Sequence, residues 1–387
     1  MAQRSGSESN ATLLALTSSA LLLPAYQGAR ADAPPTFTEL GLRYGKYKED
    51  DTRSSKTFGG SSERMEVDIA QFHLLAPVAD SWSVALDVAW EDMSGASPWF
   101  VGQSESGESK VIMSGASIYD TRTEVSVTTR YYYDRGNAGL NYTRSDEDDY
   151  ESDAVTVDAA FNSADGMTTY SAALSASDDT IEPTQGAVPT NTLQDDKDIR
   201  SAWIGATRIV SKRAIMRFGL SYTYREGFLT DPYKLQDQRP DSRREWVLAA
   251  GYRHFFTEAS GAAHIDYRYF DDDWGVRSHT LDLAWHQNLG ARTALVPFLR
   301  YYTQDAADFF SNRVDFSARY FADDYRLSAY GAFSLGLRLR YTTGPWTLSL
   351  AGERYKSDND WGLFGGEESP ALVNFWRGSV GFVYRFQ

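Results

Sequence analysis

The sequence predicts an all-β protein: one transmembrane antiparallel β-barrel of about sixteen strands, with short periplasmic turns and long extracellular loops. Three observations carry this expectation. Apolar and polar residues alternate with a period of two, in segments of about ten residues. Aromatic residues stand at the ends of the apolar faces, as in the interfacial girdles of membrane barrels. The connections alternate for the most part between tight and long.

Ser81–Trp90 shows the alternation most clearly. Trp82, Val84, Leu86, Val88 and Trp90 form one face, and Ser81, Ser83, Ala85, Asp87 and Ala89 the other. Gly331–Tyr341 repeats it, with Phe333, Leu335, Leu337, Leu339 and Tyr341 against Ser334, Gly336, Arg338 and Arg340. In Asn374–Phe386 the apolar face is Trp376, Val380, Phe382, Tyr384 and Phe386. A soluble sandwich also alternates, but it has no reason to place aromatics at both ends of each apolar face.

In chain order the expected strands are 37–47, 64–76 and 81–91, then 119–132, 136–145, 152–162 and 167–178. Next come 199–210, 214–225, 243–254, 261–271, 278–288 and 292–303, and finally 331–341, 345–356 and 374–386. Tight joints at Val78–Ala79, Asp134–Gly136, Ala164–Gly166, Ser211–Arg213, Glu258–Gly261, Leu289–Ala291 and Thr343–Pro345 mark the short side. The joints at 48–63, 92–118, 179–198, 226–242, 304–330 and 357–373 are long and rich in Asp, Gly and Ser. Two more, 146–151 and 272–277, are short and acidic. An even strand number puts both termini on the short-turn side. Segments 64–76 and 199–210 alternate poorly, which leaves either bulges or a miscounted pair of strands open.

Composition agrees. The 387 residues contain no Cys, which suits passage through an oxidising compartment without mispairing. A net charge of −15 without a basic patch argues against nucleic acid as a partner. A mean hydropathy of −0.46 is too polar for a bundle of membrane helices. Ala11–Tyr26 is an apolar run behind Arg4, and Ala29–Ala31 supplies a small-residue cleavage site. Residues 1–31 are therefore expected to be a cleaved signal peptide and 32–387 a single barrel domain. At the other end Ser379–Phe386 places Gly381, Tyr384 and Phe386 in a pattern similar to the C-terminal signal read by the outer-membrane assembly machinery. Gln387 leaves Phe386 penultimate rather than last.

Faces opposite the apolar stripes should line a lumen. They carry Glu39, Arg43, Glu124, Arg130, Asp158, Arg217, Arg225, Asp266, Arg268, Asp282, Arg338, Arg340, Arg377 and Arg385. Mixed charges on a barrel wall usually cross-link one another, but the arginines of the last strands also favour anions. In the hairpin His264–His286, symmetry about Trp274 sets Asp266 against Asp282, with His264 and His286 on the same face. Such a group suits a metal or acid–base work, although strands often carry His and carboxylate at this spacing and no nucleophile is placed beside them. The acidic runs Ser145–Asp153 and Phe270–Trp274 read as solvated charge, or as carboxylates bridged by divalent ions to lipopolysaccharide; neither has a calcium-loop spacing. No phosphate-binding, CxxC or dinucleotide motif occurs, so no resident cofactor is implied.

The pentapeptide MSGAS occurs twice, at Met93–Ser97 and Met113–Ser117. Between the copies lie Trp99, Phe100 and Ile112, apolar groups costly to expose in an extracellular loop. The loop is expected to fold inward and constrict the lumen through Met93, Gly95, Trp99, Phe100, Met113 and Gly115, with the two copies as hinges.

Several stretches resemble the bacterial barrel family "domain of unknown function 3570": both MSGAS segments, Leu235–Trp246, Arg268–Trp285, Arg300–Phe310 and Asp324–Leu339. The resemblance covers nearly all of the mature chain. It implies an outer-membrane protein of Gram-negative bacteria, and it brings no assigned substrate or catalytic residue. The neighbourhood of such genes implies a link to extracytoplasmic redox or peptide export. Three readings stand. The first is a non-enzymatic channel for a small polar solute, or a sleeve for a periplasmic or exported partner. The second is a plugged surface barrel with acidic loops facing lipopolysaccharide. The third is a hydrolase or metal site on the barrel wall.

Overall fold

The computed structural model describes residues 33–59, 63–114, 118–184, 192 and 194–386. The expected signal peptide, Gly115 and Gln387 lie outside the described residues. The strands begin with β1 (Thr38–Glu49), β2 (Glu66–Ala79), β3 (Trp82–Gly95), β4 (Pro98–Gln103), β5 (Ser109–Met113), β6 (Ile118–Tyr133) and β7 (Gly136–Asp146). They continue with β8 (Tyr150–Asn162), β9 (Thr168–Ile181), β10 (Asp195–Ser211), β11 (Ala214–Gly227), β12 (Asp237–Gln238), β13 (Ser242–Phe256) and β14 (Gly261–Asp272). The last are β15 (Arg277–Leu289), β16 (Thr293–Gln304), β17 (Phe321–Ala322), β18 (Tyr330–Thr343), β19 (Trp346–Asp358) and β20 (Phe375–Phe386).

Sixteen of these form one closed barrel in chain order, leaving out β4, β5, β12 and β17. All sixteen expected segments are strands, and most run a few residues further than the alternation alone indicated. Closure is made by β1 against β20, in register from Thr38↔Phe386 to Glu49↔Phe375. Bulges occur near the ends of the two poorly alternating segments, between Pro77 and Ala79 and between Ile209 and Ser211.

The outer face is apolar where water would forbid it. Leu174 and Leu335 are each 66% exposed, and Leu42, Leu350 and Val157 stand open beside them. An apolar belt of this extent is a lipid surface. Aromatics bound it. Trp82 packs on Tyr131 near the short turns, and Tyr222 packs on Trp246 toward the long loops. Trp82 and Trp90 are eight residues apart on β3, about 26 Å along the strand, enough with the usual tilt to cross most of an apolar band ~25 Å tall.

The four strands left out of the barrel belong to the long loops. β4 and β5 form a hairpin, and β12 pairs with β17 across two different loops. Periodicity did not announce either, because they are short and irregular.

Candidate functional site: an arginine-walled lumen beneath a loop cap

The inward parity follows from the exposed stripe. On β18, Leu335, Leu337 and Leu339 face lipid, so Ser334, Gly336, Arg338 and Arg340 face the lumen. Register then places Arg43 opposite Gly381, Arg377 opposite Glu353, and Arg217 opposite Gly251, itself opposite Asp266. Arg268 lies two residues beyond Asp266 on the same face. All ten lumen-lining residues expected from sequence have this inward parity. Arg253 and Arg300 join them; they were missed because β13 and β16 alternate weakly, and only hairpin register reveals their direction.

The charges are organised. Asp266 faces Asp282 directly across β14 and β15, and the rings of His264 and His286 stack at 3.8 Å between centroids. The carboxylates are already claimed. Arg253 donates to both oxygens of Asp266 at 2.7 and 2.5 Å, Arg217 donates to the same group at 3.1 Å, and Arg300 grips Asp282 from 2.6 Å. The sequence brings these four residues together as expected, but the arrangement is an ion-pair lattice with two stacked imidazoles. Arg377–Glu353 and Arg385–Glu39 close two further pairs, each at 2.6 Å.

Three arginines have no such partner. Among the described residues Arg268, Arg338 and Arg340 make no ion pair, and all three side chains are exposed. Arg268 lies over the Phe270 ring and Arg338 over Phe298, at 5.4 and 4.3 Å, which holds their guanidiniums without neutralising them. The facing wall is different: Ser126, Asn141, Thr143, Thr156 and Ser175 point inward and bond to one another, as in Thr156–Ser175 at 3.0 Å. One side of the lumen carries unpaired arginines, whereas the other combines small hydroxyl and amide groups with charges that are already paired, such as Arg130–Asp158 at 2.7 Å.

Above this wall sits the hairpin between the MSGAS copies. The copies meet at its neck, where the backbone N–H of Ser114 donates to the Ser97 carbonyl at 2.9 Å and Ser97 N–H to the Ser114 hydroxyl at 3.2 Å. Met93 and Gly95 belong to β3 rather than to the loop. Met93 packs with Tyr47, Met65, Val67 and Ile69 on the inner wall, a correction to its expected role in the constriction. Met113 and Val111 pack instead against Tyr325, Ala371 and Val373 from two other loops. Trp99 and Phe100 meet edge to face, half-buried.

The hairpin crosses the mouth. Its N–H at Val101 donates to Asp323 Oδ2 at 2.5 Å, and Lys234 Nζ donates to the Pro98 carbonyl at 2.7 Å. The loop carrying Lys234 leaves the barrel between β11 and β13, and the one carrying Asp323 between β16 and β18. Both roots are six strands round the ring from the hairpin's own root between β3 and β6. At about 4.8 Å per strand spacing such contacts cannot run along the rim; the loops converge over the lumen.

Buried charges lock them. Asp324 is bonded by Arg239 at 2.8 Å and by Arg326, while Arg326 also reaches Asp231 at 2.6 Å. Burial pushes the Asp323 carboxyl up to about 7, against the opposing pull of Lys234 and the Val101 N–H. Arg64 and Glu49 make a pair 2.6 Å long with both side chains 2% exposed, and Arg64 also donates to the Ala371 carbonyl at 3.2 Å. Polar loop sequence gave no sign of this lock, since the bonds Arg239–Asp324, Arg326–Asp231 and Arg64–Ala371 join loops distant in the chain.

A closed sixteen-strand ring, an apolar belt with aromatic rims and a capped polar lumen define an outer-membrane, multi-pass β-barrel. The chain belongs to the family described as "Protein of unknown function (DUF3570)", which matches residues 13–375. Among solved structures it is similar to CdiB from Acinetobacter baumannii, at 9% identity and TM-score 0.52, over 90% of this chain and 60% of that one. It is also similar to a bacterial polysaccharide outer membrane secretin, at 8% identity and TM-score 0.50, over 90% of this chain and 98% of that one. The likeness is one of fold, and the chain spans less than two thirds of CdiB's length. No curated protein matches the sequence.

Proposed function

We propose that the protein is a conduit for a small anionic solute, held shut at rest by the hairpin cap. The observation that carries this reading is the set of unpaired arginines, Arg268, Arg338 and Arg340, on one wall of a water-accessible lumen. Charged side chains of one sign select permeants of the other, and low-dielectric walls focus the field. The cap supports the closed resting state, because its loops are joined by buried hydrogen bonds and ion pairs rather than left in solvent.

Planar bilayers under a salt gradient test the reading. The whole protein is expected to conduct rarely, and a variant lacking Pro98–Met113 frequently, with a reversal potential on the anion side. Replacing Arg338 and Arg340 by Gln in the hairpin-deleted protein should move that potential toward cations. Cation preference in the deleted protein would overturn the proposal. Silence from a correctly folded deleted protein would favour the second reading, a plugged surface barrel, which the interlocked cap also supports.

A further inference from the structure

A cluster of three carboxylates lies at the loop end of the opposite wall, outside the arginine face. Asp120 stands near the start of β6, and Glu147 and Asp149 lie in the short connection between β7 and β8. One oxygen from each of the three carboxylates lies within 4.8 Å of the others. All are buried, at 1%, 8% and 4% exposure. The acidic run Ser145–Asp153 is therefore not a uniformly solvated face: Asp146 and Asp148 are exposed, while Glu147 and Asp149 turn inward.

The balance of partners is uneven. Asp120 Oδ1 accepts from the Thr121 N–H at 2.8 Å, but its Oδ2 is buried with no hydrogen-bond donor. One guanidinium, Arg122, lies 3.6 Å from Glu147 and is shared with Glu91 and Glu124. Asp149 accepts from the Tyr233 hydroxyl, a neutral donor. Leaving a carboxylate oxygen buried without a partner beside two other carboxylates is costly.

We propose that Asp120, Glu147 and Asp149 hold a divalent cation of the calcium type. Carboxylate oxygens are the donors such hard ions prefer, and calcium tolerates the irregular geometry of a short turn. The trio contains no His or Cys, which disfavours zinc and copper. An ion here would supply the missing partner of Asp120 and relieve repulsion among the three. It would also brace the cap. Tyr233, hydrogen-bonded to Asp149, is adjacent to Lys234, whose ammonium holds the hairpin at Pro98.

Calcium chloride is titrated by calorimetry into purified, chelator-treated barrel in detergent free of lipopolysaccharide, so that lipid-bound ions do not contribute. One saturable site per chain is expected, together with a raised unfolding midpoint and protection from trypsin at Lys234 and Arg239. Asp120→Asn should weaken binding by more than about tenfold and abolish the protection. Glu147→Gln serves the same purpose if the first variant does not fold. No saturable binding by the folded wild-type barrel would overturn the proposal, as would unchanged binding in a folded variant. If neither variant folds, the wild-type titration decides it.

Discussion

Asp323 and Asp324 are adjacent in the chain and opposite in behaviour. Burial raises Asp323 to about 7, with Lys234 opposing and the neighbouring charge of Asp324 adding to the rise. Burial would raise Asp324 too, but Arg326, Lys234 and Arg239 hold it far below the carboxylate range. Asp324 is thus the fixed anion of the cap and Asp323 its titrating group. The sign follows from linkage. An unfolded loop releases the Asp323 proton near pH 4, whereas the folded cap keeps it until about 7. Between those values the folded form binds more protons, so cap stability falls as pH rises and levels off above the upper value. Trypsin cleavage of the cap loops should therefore be faster at pH 8 than at pH 5. Asp323→Asn keeps an acceptor for the Val101 N–H and should stay protected at both. A pH dependence that survives the substitution would assign the effect elsewhere. None of this was legible in the sequence: the Arg326–Asp231 bond joins residues 95 apart, in two stretches that read as ordinary polar loop.

At the scale of elements, the strands were legible because most of them carry the two-residue period a membrane barrel imposes, with β2, β10, β13 and β16 the weaker cases. The loop elements were not, since β4 and β5 form a short hairpin tied down by Asp323 and Lys234 of other loops, and β12 and β17 pair across two different loops. The MSGAS repeat lies between these cases. Its apolar segment was expected to turn inward, and the structure turns it across the mouth. The paired copies make a hydrogen-bonded neck at Ser97 and Ser114. Gly95 has a separate reason to be glycine. Its φ is +130°, and a Cβ there would sit 2.4 Å from the Arg64 carbonyl oxygen. Arg64 in turn carries the buried pair with Glu49. Gly95→Ala should lower the stability of the folded protein by on the order of 1–3 kcal/mol. Gly59→Ala is the control, with φ +89° but nothing within 4 Å of the added atom, so only the backbone preference is lost, roughly 1 kcal/mol. Thermal unfolding of the two variants measures the difference. Equal losses would show that the close approach to Arg64 is without consequence.

For the whole molecule, closure is the condition on which everything else rests. β20 pairs through twelve residues with β1 and through ten with β19, so it completes two ladders at once. Without it both neighbours would present unpaired N–H and C=O groups to lipid, at several kcal/mol for each group left unsatisfied. A chain ending at residue 374 should therefore fail to give the compact, boiling-sensitive species of a folded barrel, whether made in cells or refolded into detergent. The same strand carries the C-terminal pattern expected to guide assembly, and the two roles separate by substitution. Tyr384 packs on Trp346 at 4.2 Å, while Phe386, 41% exposed, ends the ladder opposite Thr38. Phe386→Ala removes a lipid-facing ring but no backbone bond. If Phe386 serves as an assembly signal, the variant should refold in detergent as well as the parent and yet accumulate several-fold less in the outer membrane of cells. Equal losses in both settings would make the ring a structural member of the closing strand, with no separate part in targeting.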